Sequence, residues 1–391
     1  MKNELMLDEE LKQLDECEFK IKNIGWTLGN ECPYRCTHCY SMLSREKGMD
    51  LTTEMIDRIV DQVSQIGVET INVGGNEPLF TNGLNPKKTL LPYIIREITK
   101  RGIKIGLTTS GITAIYLEKN FPEEFKMLND IDISFDSPFE EEHNKNRGAN
   151  LYSQAITVLK MCQKYNKDHT IVMCAMKWNF SEEHLRELVS IAKTYDANIR
   201  INMMKPTELK HIENMATYEQ YFKGYRVLNS LCNVIDMTDP IVAGAVGNEK
   251  GKRCPCGRTS FRIHSITPDG KIPIAPCVYL HDFKVGNILE DDLKDLIESP
   301  QFRLFRKRNA NPNLIEDCGN CRLVNTCGGG CAAMAYLYRM HKTGEKSLFS
   351  KDPYCSKEHN ASLPPVKIHK GSSKQLVHMD YLCTWIGSPI K

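Results

Sequence analysis

Sixteen cysteines stand in this sequence of 391 residues, and their grouping carries the clearest chemical signal. Three fall in Cys32-Pro-Tyr-Arg-Cys36-Thr-His-Cys39, and eight more are Cys254, Cys256, Cys277, Cys318, Cys321, Cys327, Cys331 and Cys355. Cys17, Cys162, Cys174, Cys232 and Cys383 stand alone. Thiols in such number inside a reducing compartment point to metal or redox chemistry rather than to disulfides. The spacing of Cys32, Cys36 and Cys39 lets three thiolates converge on one centre from a short loop. Three protein ligands leave a position open, for water on zinc or for substrate or cofactor on the unique iron of a [4Fe–4S] cluster. A structural zinc completed by His38 is the bland alternative. The stretch from Cys318 to Cys331 is dense in glycine and poor in apolar residues, the composition of a segment that folds around metal.

The elements that must hold these thiols are legible from patterning. Candidate strands are Ile24–Leu28, Thr70–Val73, Ile103–Leu107, Ile131–Phe135, Thr170–Met176 and Ile199–Met203. Between them, Thr53–Ile66, Leu90–Thr99, Tyr152–Tyr165 and Glu182–Tyr195 carry apolar residues at helical spacing. Strands that alternate with helices pair in parallel. The expected fold is therefore α/β, a partial (β/α)6 barrel of TIM type or an open α/β layer, in either form with its ligand at the carboxyl ends of the strands. A hairpin of Arg262–Ile266 and Lys271–Ile274 follows, then helices near Glu290–Glu298 and Gln301–Arg308. The expected division is 1–20 as an N-terminal extension, 21–235 as the barrel, 236–253 as a linker, 254–360 as a metal-folded domain and 361–391 as a tail. In that tail Tyr381–Ile386 is either a docking strand or frayed. Cys162, Cys174 and Cys232, with Trp26, Trp178 and Trp385, read as packing residues.

Composition narrows the function classes. With 41% hydrophobic and 26% charged residues the chain buries an ordinary core. A formal net charge of +2 gives no basic field for nucleic acid or anionic lipid. No apolar run reaches the ~18 residues of a membrane span, and the first twenty residues are too charged for a signal peptide. A cytoplasmic protein is expected.

CxxxCxxC after the first strand, with His38 and Tyr40 around its last cysteine, resembles the cluster motif of radical S-adenosylmethionine (SAM) enzymes. Gly74-Gly75-Asn76-Glu77-Pro78 is similar to the Gly-Gly-Glu-Pro turn of that family, with Asn76 inserted. Thr109-Ser110-Gly111 is similar to its Thr-Asn-Gly turn, and Ser134-Phe135-Asp136 followed by Arg147 to its ribose- and carboxylate-binding segment. The resemblance implies that Cys32, Cys36 and Cys39 hold a [4Fe–4S] cluster whose fourth iron chelates SAM. It implies further SAM contacts at Gly74, Gly75, Asn76, Glu77, Thr109, Ser110 and Ser134. Glu77 would face the ammonium group, Asp136 the ribose and Arg147 the carboxylate.

The later cysteines resemble the SPASM domain, a C-terminal extension that typically binds two auxiliary [4Fe–4S] clusters. Carried over by position, Cys256, Cys277 and Cys331 would serve the first, with the extra Cys254 as a fourth ligand. Cys318, Cys321, Cys327 and Cys355 would serve the second, giving three clusters in all. Structural zinc is the alternative for these residues taken alone. Enzymes of this kind act mostly on peptides or proteins, by crosslinking, epimerisation or oxidation. Val278 stands where sulfatase maturases carry a catalytic aspartate, which argues against formylglycine formation. Only 31 residues precede Cys32, so a peptide substrate is expected to need either a separate peptide-recognition protein or direct binding by the enzyme, beside an electron donor such as flavodoxin or ferredoxin. The alternative is a small-molecule radical SAM oxidoreductase or decarboxylase; a zinc-bound interaction or nucleic-acid-binding protein fits the motifs least. No residue is singled out as catalytic.

Overall fold

The alternation of apolar strands with amphipathic helices builds one continuous sheet in a computed structural model of the chain. It describes residues 12–29, 31–42, 45, 48–237, 239, 253–357, 376–377, 379 and 384–391. The central strands are β1 (Asn23–Thr27), β2 (Thr70–Gly74), β3 (Lys104–Thr109), β4 (Asp130–Ser134), β5 (Asp168–Ala175) and β6 (Asn198–Met203). Each pairs in parallel with the next, so all six point their carboxyl ends the same way. Helix Thr53–Gln65 opens at Thr52, whose hydroxyl accepts from Met55 N–H at 3.3 Å. That bond satisfies a donor that a helix start leaves unpaired. Its buried stripe of Ile56, Ile59, Val60 and Val63 shares one core with Ile24, Ile71 and Val73.

The sheet reaches beyond the six expected strands. It continues with β7 (Cys232–Met237), β8 (Ser260–Ile263), β9 (Ile274–Ala275) and β10 (Thr384–Pro389). The order is β7-β10-β6-β5-β4-β3-β2-β1-β8-β9. β8 lies parallel to β1, β9 is antiparallel to β8, and β10 runs antiparallel between β6 and β7. The docking alternative for the tail is thus the observed one, with Trp385 fully buried and its indole N–H on Asn229 Oδ1 at 2.9 Å. β7 runs to Met237, two residues into the expected linker. Of the rest of that linker only Asp239 and Arg253 belong to the described residues, and Cys383 lies outside them.

Two further details refine the sequence reading. The hairpin exists with a short ladder: Arg262 and Ile263 pair with Ala275 and Ile274, and His264 N–H donates to Pro273 O at 2.9 Å. The Pro268-Asp269-Gly270 turn closes its tip, with Thr267 N–H and Oγ1 donating to Lys271 O at 2.8 and 2.9 Å. Helix Ala332–Thr343 went unread, although it starts directly after Cys331. Before it, Gly330 holds φ +72°, and a Cβ there would lie 2.5 Å from Asp352 Oδ2. That oxygen accepts from Cys331 N–H at 2.9 Å, while the buried Arg308 donates to Gly329 O at 2.8 Å. The cysteine loop is therefore pinned by polar contacts where apolar ones are scarce.

Trp385→Ala is expected to lower stability by about 3–5 kcal/mol, since it empties a buried site that joins β10 to helix Tyr218–Leu231. Leu209→Ala, at a side chain 64% exposed, is expected to change it by less than about 0.5 kcal/mol. Urea unfolding of both variants checks the contrast; equal losses would contradict the placement of β10.

Candidate functional site

The carboxyl ends of the parallel strands surround a cavity of about 170 Å³. Cys32, Cys36 and Cys39 line it, with Gly75, Asn76, Glu77, Thr109, Ser110, Ser134, Asp136 and Arg147; Gly74 is not among the lining residues. The cysteine loop is held from several sides. Arg35 Nη1 donates to Cys32 O at 2.7 Å, Arg45 Nη1 to Tyr34 O at 2.8 Å, and Arg45 Nη2 to Cys39 Sγ at 3.0 Å. Thr37 N–H donates to Asn146 O at 3.0 Å, and the Cys36 thiol faces Arg147 O at 3.9 Å. Burial pushes the Cys32 thiol up and the Cys36 thiol to about 11.

Glu77 is engaged by the protein itself. Its carboxylate accepts from Ser110 N–H at 3.0 Å, from Ser110 Oγ at 2.6 Å, and from the hydroxyls of Thr109 and Thr113. Four donors occupy the sites a carboxylate offers, so in this arrangement Glu77 organises the turn rather than presenting an open acceptor. Gly75 has φ +91°, and a Cβ would lie 2.6 Å from Thr27 Oγ1, so its glycine serves the approach of β1. Asn76 Oδ1 accepts from Ser41 Oγ at 3.0 Å and from Arg45 Nε at 3.1 Å, tying the inserted residue to the cysteine loop.

Asp136 is the buried hub. Its Oδ2 pairs with Arg147 Nη2 at 2.8 Å and accepts from Asn146 Nδ2 at 2.9 Å; its Oδ1 accepts from Cys174 N–H at 3.3 Å. Burial alone would raise this carboxyl, but Arg147, with His38 and His143, holds it at about 2. His38 lies 3.6 Å from Asp136 and 3.1 Å from Asn146. Its ring is thus engaged away from the role of a fourth thiol-site ligand.

The later cysteines gather in two places. Cys256, Cys277 and Cys331 line a second, smaller cavity, and Cys254 is in side-chain contact with Cys256. Cys318, Cys321, Cys327 and Cys355 line a third. Among the described residues no three His, Cys, Asp or Glu side chains close on a single metal ion. The first and second cavities share Lys205, Arg262, Val278 and Tyr279 as a common wall. Across it Tyr40 meets Tyr279 edge-on, ring centroids 5.2 Å apart.

Several lining residues escaped the sequence reading: Arg200, Lys205, Arg262 and Tyr279, together with Cys174, read as packing. A signal was present for one. In β6, Asn198, Arg200 and Asn202 alternate with Ile199, Ile201 and Met203, a polar face at strand period. Arg200 Nη1 meets Asp132 Oδ2 at 2.6 Å.

The sequence matches the Radical SAM superfamily over residues 26–190 and the SPASM iron-sulfur cluster-binding domain over residues 254–322. The chain carries a radical SAM domain and a SPASM domain, and these domains indicate SAM binding and iron–sulfur clusters. Its similarity to particular proteins is more distant. It is 25% identical over 383 residues to the mycofactocin maturase MftC of Mycobacterium ulcerans, covering 89% of this chain and 94% of that one. Its fold is similar to that of anSMEcpe with bound AdoMet, at TM-score 0.62 and 19% identity, covering 87% of this chain and 92% of that one. It is also similar to that of Streptococcus suis SuiB bound to precursor peptide SuiA, at TM-score 0.59 and 17% identity, covering 90% and 79%.

Arg147→Gln leaves Asp136 as a buried carboxylate without its main counter-charge, an expected loss of about 3–5 kcal/mol. The sign with pH follows from the shift. In the native protein the depressed Asp136 adds stability above its ordinary range, and that share is lost as pH falls toward about 2. In the variant burial raises the carboxyl instead, so the deficit is largest near neutrality and shrinks in acid. Urea unfolding at about pH 7.5 and about pH 5 checks this; an equal deficit at both would contradict the pairing.

Proposed function

We propose that the protein is a radical SAM peptide maturase with three [4Fe–4S] clusters, one at Cys32, Cys36 and Cys39. The first auxiliary cluster belongs to Cys254, Cys256, Cys277 and Cys331, and the second to Cys318, Cys321, Cys327 and Cys355. The observation that supports the reading is that ten of these eleven cysteines line three chambers, the first two with a common wall, and that Cys254 touches Cys256 of the second. When bound, the first cluster and SAM supply a 5′-deoxyadenosyl radical that takes hydrogen from an unactivated carbon.

The chain's own residues bind, orient and shield. The Gly74–Glu77 turn, Thr109, Ser110 and Ser134 shape the SAM side of the cavity. Asp136 and Arg147 set its ribose and carboxylate end, which requires their mutual contact to open or to be shared. A precursor peptide or protein is the substrate class, as the similarity to a maturase supports. A flavodoxin or ferredoxin is the electron donor and the cytoplasm the location; among the described residues no helix is long and apolar enough to cross a membrane. A separate peptide-recognition protein completes the expected partners.

Anaerobically reconstituted protein is expected to be brown with about twelve irons, and to form 5′-deoxyadenosine with reductant and SAM. Replacing Cys32, Cys36 and Cys39 together by Ala is expected to remove about four irons and that product. Zinc in colourless protein would refute the reading. Deuterium passing into 5′-deoxyadenosine from a labelled peptide, and not from labelled small metabolites, would separate the peptide reading from its small-molecule alternative.

A further inference from the structure

Five basic side chains line the main cavity, Arg45, Arg147, Arg200, Lys205 and Arg262, against two carboxylates, Glu77 and Asp136. Both carboxylates are committed: Glu77 to its hydroxyl and backbone donors, Asp136 to Arg147. On the basic side, Arg200 is held by Asp132 behind the wall, and Arg45 by Tyr34 O, Asn76 and Cys39. Arg262 and Lys205 differ from these in place. They stand on the wall shared with the second cysteine chamber, beside Tyr279, and each is at least nine-tenths buried. Two cations set together in a low-dielectric wall focus a positive potential into the cavity and favour an anion there. Lys205 has Asp352 and Tyr225 within electrostatic reach. Tyr40 and His264 are among the titratable groups near Arg262.

We propose that Arg262, supported by Lys205, is a specificity-determining residue that takes a substrate carboxylate at the wall between the first two cysteine chambers. This rests on the reading of those chambers as cofactor sites, but not on the substrate being a peptide. A guanidinium offers two parallel N–H donors to one carboxylate, and the neighbouring Tyr40–Tyr279 pair gives the adjoining part of the substrate an aromatic surface. An acid anchored here lies between the SAM side of the cavity and the second chamber. The carboxylate is either a peptide's C-terminus or an Asp or Glu side chain, or belongs to a small organic acid.

The test uses reconstituted holoenzyme with SAM and affinity selection read by mass spectrometry. The probes are a pool of random acetylated pentapeptides with free C-termini, the same pool amidated, an amidated pool lacking Asp and Glu, and a pool of small carboxylic acids with their amides. Wild-type protein is expected to retain carboxylate-bearing members preferentially. Arg262→Gln is expected to weaken that retention roughly tenfold to a hundredfold, and Arg262→Lys to restore part of it at unchanged iron content. Loss in the first amidated pool assigns the C-terminus, and loss only in the pool without Asp and Glu assigns a side chain. Retention of small acids but no peptide would keep this inference and overturn the peptide reading. Equal retention of acids and amides, or failure of every acid probe to bind, would overturn the inference. So would Arg262→Gln weakening SAM binding instead, or shifting cluster potentials while acid retention stays the same; the basic pair would then serve the cofactors.

Discussion

The ion pair of Asp136 and Arg147, shut away from water at the end of β4, is the constraint on which the site depends. A carboxylate and a guanidinium buried together are tolerable only while each keeps its partner and the remaining lone pairs are filled. Filling them recruits the surroundings: Asn146 from helix Glu140–Arg147, the backbone of Cys174 on β5, and His38 from the cysteine loop. Thr37 bonds to Asn146 and Cys36 faces Arg147 O, so the loop is positioned from the same helix. One charge pair thus relates the cysteines to the strand ends, and a shift in it moves both.

Much of this was legible in the sequence, for physical reasons that also explain what was not. The helices Thr53–Gln65, Tyr152–Lys164 and Glu182–Thr194 show themselves because burial on one face imposes a period, and the six central strands as short runs, rich in apolar residues, buried along nearly their whole length. β7 follows helix Tyr218–Leu231 without a breaker, so no boundary residue announces it. β9 is two residues long, too short for any alternation to register. Among site residues, Cys32, Glu77 and Asp136 sit in local motifs, whereas Arg262 and Lys205 meet only through the pairing of β8 with β1 and the curvature of the sheet. Spacing along the chain says nothing of such a meeting.

The C-terminal part contrasts with the barrel in how it is held. Arg308 and Asp352, both buried, fasten the glycine loop between Cys327 and Cys331 through backbone contacts. Burial, with Asp239 beside it, raises Asp352 to about 6. At the other end Glu16 meets Arg303 at 2.7 Å and Arg306 at 3.1 Å, while Phe19 stacks under the Arg306 guanidinium. Glu16 and Phe19 therefore brace this region from the far end of the chain, a role beyond that of a leader to the barrel.

β10 lies between β6 and β7 although the Trp385–Asn229 bond spans 156 residues of chain. During synthesis the barrel strands emerge long before their neighbour does. Until residues 384–389 arrive, β6 presents an unpaired edge, the kind of surface on which strands of other chains assemble. Closing so long a loop is slow. The order of translation thus sets a window in which this protein is most exposed to aggregation, and chaperones that cap bare strands would act within it.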